Sequence, residues 1–167
     1  MHLIRYPNNL QSLNIIGFTI IPAPVPRTLL NLTIKAREDY KENFIDTRDL
    51  KLPDTLQKMD LYGFHLKSID HVLPNCLIEL KFGGKVFMHY TLPNTLKKLI
   101  LYGNSYGGNI IIGTLPTDLE ELYANAYKGN LCILSFDYPK SLIKLILGAS
   151  RAQVYPIYLS SLPLLNR

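Results

Sequence analysis

The chain has 167 residues, 47% of them apolar, with 18 Lys+Arg against 13 Asp+Glu and a formal net charge of +5. This composition excludes a disordered or collagen-like chain, and two cysteines cannot build a disulfide framework. The longest apolar stretch, 15–25, is broken by Pro22 and Pro24 and is far shorter than a membrane span requires, while the modest positive charge is compatible with an anionic partner without arguing for one.

Leucine and isoleucine occupy 47 positions, an enrichment that directs attention to internal repeats. One pattern, Leu/Tyr-Pro-x-x-Leu-x-x-Leu-x-Leu, recurs with its proline at 7, 26, 53, 74, 93, 116 and 139, and Pro163 opens a copy that stops. The intervals run from 19 to 27 residues and average about 22, within the range of leucine-rich repeats. In chain order the apolar triplets are Leu10-Leu13-Ile15, Leu29-Leu32-Ile34, Leu56-Met59-Leu61, Leu77-Leu80-Phe82, Leu96-Leu99-Leu101, Leu119-Leu122-Ala124 and Leu142-Leu145-Leu147. The last two members of each triplet alternate with a different residue type, the period of a strand with one buried face, so each copy predicts one short strand.

A unit of about 22 residues cannot bury its own apolar face. Seven parallel strands stacked coil on coil can, which predicts one β-rich solenoid domain over 1–167, with a degenerate C-terminal cap over 148–167. The short intervals leave little room for helices, so the convex side is expected to carry turns, extended pieces or 3₁₀ segments. Each proline lies outside its strand, where its missing N–H removes no ladder bond. The 27-residue interval contains 35–51, with five charges of each sign. It is read as a solvated loop or short helix, with a docking arm as the lesser alternative.

The closest copies, Leu-Pro-Asn-Thr-Leu-Lys-Lys-Leu-Ile-Leu-Tyr-Gly-Asn-Ser-Tyr at 92–106 and Leu-Pro-Asp-Thr-Leu-Gln-Lys-Met-Asp-Leu-Tyr-Gly-Phe at 52–64, resemble the FNIP-type leucine-rich repeats of social amoebae and giant DNA viruses. Gly63, Gly84 and Gly103 correspond to the first glycine of that pattern and Gly113 to the second. The Leu-Pro-type repeats of bacterial effectors share the same core, although effectors of that group that act as ubiquitin ligases need a separate catalytic domain. The resemblance implies a recognition module presenting a concave sheet to another protein.

Residues five, seven and nine places after each proline are expected to point away from the core. The five-place column, Ser12, Asn31, Lys58, Glu79, Lys98, Glu121 and Lys144, alternates in sign over its last five members, which reads as cross-strand register control. The other two columns place Tyr62, Lys81, Ile100, Tyr102, Tyr123 and Ile146 on the same face. Two readings stand, a protein-binding patch with aromatic anchors or ordinary cross-strand packing of tyrosine. A one-residue register slip would turn all of them inward.

No chemistry competes with this. The four histidines, His2, His65, His71 and His89, form no ligand-spaced pair with cysteine or carboxylate. Cys76 and Cys132 lie two coils apart, about 10 Å at strand spacing and beyond disulfide reach. No nucleophile elbow or phosphate loop is present. The expectation is a protein that is not an enzyme and has no cofactor, no metal and no membrane span, residing in the cytoplasm or, for a viral chain, the host cytoplasm or virion. Nucleic acid is an unlikely partner because Glu79 and Glu121 interrupt the lysines. The glycosylation pattern Asn31-Leu32-Thr33 falls on a predicted strand and is read as chance. The leading function is protein binding, and the alternative is a structural subunit of a larger assembly, self-associating through its coil ends unless the apolar tail folds over the last coil.

Overall fold

A computed structural model describes residues 5–17, 25–35, 44–45, 51–62, 65–66, 73–83, 86–88, 92–102, 110–112, 114–126, 131–133 and 138–149. Twelve strands follow in chain order: β1 (Ser12–Ile16), β2 (Asn31–Lys35), β3 (Phe44–Ile45), β4 (Lys58–Tyr62), β5 (His65–Leu66), β6 (Glu79–Gly83), β7 (Val86–Met88), β8 (Lys98–Tyr102), β9 (Ile110–Ile112), β10 (Glu121–Ala126), β11 (Leu131–Ile133) and β12 (Lys144–Ala149). Seven of them form one parallel sheet in the order β1-β2-β4-β6-β8-β10-β12. Every one of these seven begins five residues after a repeat proline. The chain is a β-solenoid, and no helix occurs among the described residues.

The register is constant through the stack. Leu13, Leu32, Met59, Leu80, Leu99, Leu122 and Leu145 face one another from strand to strand, so residues at equal distances from their prolines form continuous rows. The apolar triplets of the five central coils are buried. At the two ends Leu10, Leu13, Leu145 and Leu147 are only partly covered, because each has a neighbouring coil on one side. The residue before the proline joins the core in most copies: Val25, Leu92, Leu115 and Tyr138 are buried there, and Leu52 and Leu73 are partly buried against it. Burial raises the Tyr138 hydroxyl above the ordinary tyrosine pKa.

The corner at each proline is a hydrogen-bonded turn. In all seven copies the leucine three residues later donates its N–H to the proline carbonyl, at 3.0 to 3.2 Å. At each of the six junctions the carbonyl four places after the proline accepts two N–H groups from the next coil, as Gln57 does from Ile78 and Glu79 at 2.8 and 3.0 Å. Hydroxyls add a second link. Thr28, Thr55, Thr95 and Ser141, each two places after its proline, donate to two carbonyls of the preceding coil at 2.7 to 3.0 Å. Each is a three-centre bond that pins one corner on the one before it.

The opposite side of the coils is more regular than the sequence suggests. Its extended pieces pair as parallel strands, β7-β9-β11 in one sheet and β3-β5 in another. β3 lies inside the charged segment 35–51, the remainder of which, apart from Lys35 and Lys51, falls outside the described residues, as does the proposed C-terminal cap beyond Ala149. No helix among the described residues is long and apolar enough to cross a membrane.

Candidate functional site

Alternation along β4, β6, β8, β10 and β12 sends one set of side chains to the core and the other to the opposite face of the large sheet. The register places Lys81 beside Ile100, Ile100 beside Tyr123 and Tyr123 beside Ile146, with Tyr62, Gly83 and Tyr102 side by side in the next row. All six residues expected on this face therefore lie on it. Their exposure differs. Tyr62, Tyr102 and Ile146 are 44%, 41% and 47% exposed, whereas Ile100 is only 6% exposed. Ile100 is thus not an exposed contact residue: Lys81 and Tyr123 flank it across the sheet and Lys98 and Tyr102 flank it along the strand, and these long side chains cover it.

Tyr62 is held by the absence of a side chain next to it. A Cβ placed on Gly83 would lie 2.7 Å from Tyr62 Cδ2, so the ring occupies the space over the glycine and buries it. Glycine here is an adaptation to the aromatic neighbour. The same relation recurs where the Asn125 side chain lies over Gly148.

Tyr123 is held differently. Its hydroxyl donates to Glu121 Oε2 at 2.8 Å, and the ammonium groups of Lys98 and Lys144 stand 5.3 and 5.1 Å from its ring centroid. Lys98 also meets Glu121 Oε2 at 2.8 Å. Hydrogen bonds from Lys98 and Tyr123 hold the Glu121 carboxyl below the ordinary carboxylate pKa, and the bond to Glu121 raises Lys98. Glu121 thus favours the fold at neutral pH, and that contribution is lost as pH falls through its lowered pKa. Tyr123 is a partly buried keystone of this cluster rather than a free anchor.

The sign-alternating column forms two of its four possible cross-strand pairs among the described residues, Lys58–Glu79 at 3.7 Å and Lys98–Glu121 at 2.8 Å. Glu79 takes its shorter contact along its own strand, with Lys81 at 3.1 Å. Beside the Lys58–Glu79 pair, a shallow cleft of about 180 Å³ opens over β2, β4 and β6, lined by Asn31, Thr33, Lys58, Asp60, Glu79 and Lys81 with Leu32 and Met59. The sequence shows no convergent polar pocket, because these residues come from three coils. The cleft is smaller than the pockets that enclose small-molecule ligands, and its Glu79 is already paired with Lys58 and Lys81.

Asp60 in this cleft has its pKa raised by partial burial, with Glu79 adding to the shift and Lys81 and Lys35 opposing it. A carboxylate with a raised folded-state pKa weakens the fold above the ordinary carboxylate range and has no effect below it. Asp60→Asn is therefore expected to melt at a higher temperature than wild type near neutral pH, and the difference should vanish in acid. Paired thermal melts at the two pH values check this. A lower neutral-pH melting temperature in the variant would mean that Lys81 and Lys35 outweigh the burial.

No group of three or more His, Cys, Asp or Glu side chains at metal-binding spacing occurs among the described residues. Comparison of the chain with protein-family models, curated proteins and solved structures returns no match.

Proposed function

We propose that the chain is a non-catalytic leucine-rich-repeat module, of the FNIP kind that its Leu-Pro copies resemble, and that it binds another protein through the exposed face of its seven-stranded sheet. The observation that carries this reading is the pair Tyr62 and Tyr102. Both are more than two-fifths exposed, they stand two strands apart in one row, and one is held in place by packing over Gly83. Large aromatic side chains that are already ordered before binding supply affinity at low entropic cost.

The test is quantitative capture from extracts of the source cells, comparing wild type with Tyr62→Ser/Tyr102→Ser, neither of which touches the buried triplets. A dominant partner retained by wild type and reduced at least about tenfold in the variant is the expected result. An unchanged partner set would remove this face from consideration. A second reading, a subunit of a larger assembly, draws on Ile16 and Ile143, exposed on the first and last coils. It predicts self-association that does not respond to the tyrosine substitutions.

A further inference from the structure

Charge on the proposed binding face favours cations. Its outward rows hold five lysines, Lys35, Lys58, Lys81, Lys98 and Lys144, against three carboxylates, Asp60, Glu79 and Glu121. The Glu79 side chain is 18% exposed against 59% for Lys58 and 36% for Lys81, so over β4 and β6 an approaching molecule meets ammonium groups first. Glu121 is about as exposed as Lys98 and is engaged by both Lys98 and the Tyr123 hydroxyl.

The layer is also periodic. β4 and β8 each carry lysine at the first outward position and tyrosine at the third, Lys58 with Tyr62 and Lys98 with Tyr102. β12 continues the lysine row with Lys144 beside exposed Ile146. The strands between them carry glutamate in the lysine row. At a strand spacing of roughly 4.8 Å, the motif repeats every ~9.6 Å along the solenoid axis. The lysines of the first outward row alternate with Glu79 and Glu121, and the two tyrosines stand in the third row, where Lys35 is the neighbour of Tyr62. Lys144 stands over the Tyr123 ring, and among the described residues it has no carboxylate within ion-pair distance.

From this arrangement, and resting on the protein-binding reading above, we infer that the partner presents an acidic amphipathic segment lying along the solenoid axis. Its carboxylates meet the row of Lys58, Lys98 and Lys144, and its apolar side chains meet Tyr62, Tyr102 and Ile146. The period sets the spacing of the partner's acids: seven residues, two turns of an α-helix, rise ~10.5 Å and return the side chain to the same face. A helix with glutamates at i and i+7 and leucines on the adjoining stripe places acids over the lysine row and apolar side chains over Tyr62 and Tyr102 in the third outward row and Ile146 in the second.

The probe is a synthetic helix-forming peptide of that design, titrated into the isotope-labelled full chain and followed by amide chemical shifts. Two controls accompany it, the same peptide with lysine replacing glutamate and a single-stranded oligothymidine of similar length. The acidic peptide is expected to shift amides of β4, β8 and β12, to weaken as salt rises through the Debye-screening range, and to lose about tenfold in affinity in Lys98→Gln/Lys144→Gln. Lys144→Gln alone, at the last strand, keeps a measurement available if the double variant melts early. Failure of the acidic peptide to bind, equal binding by the lysine peptide, or tighter binding by the oligothymidine would each overturn the inference. So would retention of the cellular partner by the lysine variant when the tyrosine variant has lost it, an outcome that leaves protein binding standing. A partner kept by both variants would remove both readings.

Discussion

Leu99→Ala is expected to lower the free energy of unfolding by about 3 kcal/mol, the range seen for leucine truncation at sites that cannot collapse. Leu145→Ala, the same substitution in the same row, should cost about half as much. The chemistry is identical and only position in the stack differs. Leu99 is 0% exposed and lies on β8 between Leu80 and Leu122. Leu145 lies on the terminal strand β12 with Leu122 on one side and is only partly buried. A solenoid holds together through contacts between adjacent coils, so an interior defect weakens two interfaces and a terminal one weakens a single interface. The interior variant should therefore also broaden the urea transition as the two halves of the stack begin to unfold separately. Urea unfolding followed by far-ultraviolet circular dichroism separates the cases. Equal losses would show that the last row is covered as completely as the central ones.

The second large effect concerns the corner hydroxyls. Thr95→Val should cost about 1 to 2 kcal/mol, because the Asn75 and Leu77 carbonyls lose the donor that now reaches them at 2.7 and 2.9 Å. One coil earlier the equivalent position is Cys76, which makes no such bond among the described residues and is exposed; a thiol is a weak donor in any case. Cys76→Thr is then expected to stabilise by about 0.5 to 1 kcal/mol by extending the ladder to the carbonyls of Asp54 and Leu56. In a domain of this size such a gain moves the melting temperature by roughly 1 to 4 °C. Asp118 is the other interior exception, a carboxylate that cannot donate and that instead accepts from Thr117 at 3.3 Å and lies 3.9 Å from Lys97. A Cys76→Thr protein no more stable than wild type would mean that the hydroxyl at this corner does not reach the preceding coil.

The ladder also accounts for tolerance of unequal coils. Thr28 and Thr55 close junctions whose prolines are 19 and 27 residues apart, and their contacts to the preceding corner agree within 0.2 Å. The corner and its strand stack in fixed register, and extra residues are absorbed elsewhere in the coil. This is why segment 35–51 interrupts the repeat in sequence without interrupting the pairing of Asn31 with Lys58.

Much of the fold is legible in the residues themselves. A strict alternation at a fixed distance from each proline specifies which face of a strand is buried, and a one-residue slip would bury Lys58, Asp60 and Lys98. That cost makes the strand positions and the parallel register readable from spacing alone. The Thr/Ser corners carried a signal too, a hydroxyl at the second position after the proline in four of seven copies, but the acceptors are carbonyls 18 to 28 residues away and no local pattern names them. The second row of strands was hidden for a related reason. β3, β5, β7, β9 and β11 start 18, 12, 12, 17 and 15 residues after their prolines, so aligning the repeats on proline scatters them.

For the candidate site, the order of residues along each strand is enough to say which side chains share the face, because membership follows from parity. What each does there depends on the folded stack. Ile100 has the right parity and is nevertheless covered by its neighbours, Tyr62 takes its place from a glycine on the next coil, and Tyr123 is occupied by Glu121 and two lysines. Parity is a property of one strand, whereas exposure and occupancy depend on the lengths and charges of side chains on the strands beside it, and those meet only when the coils stack.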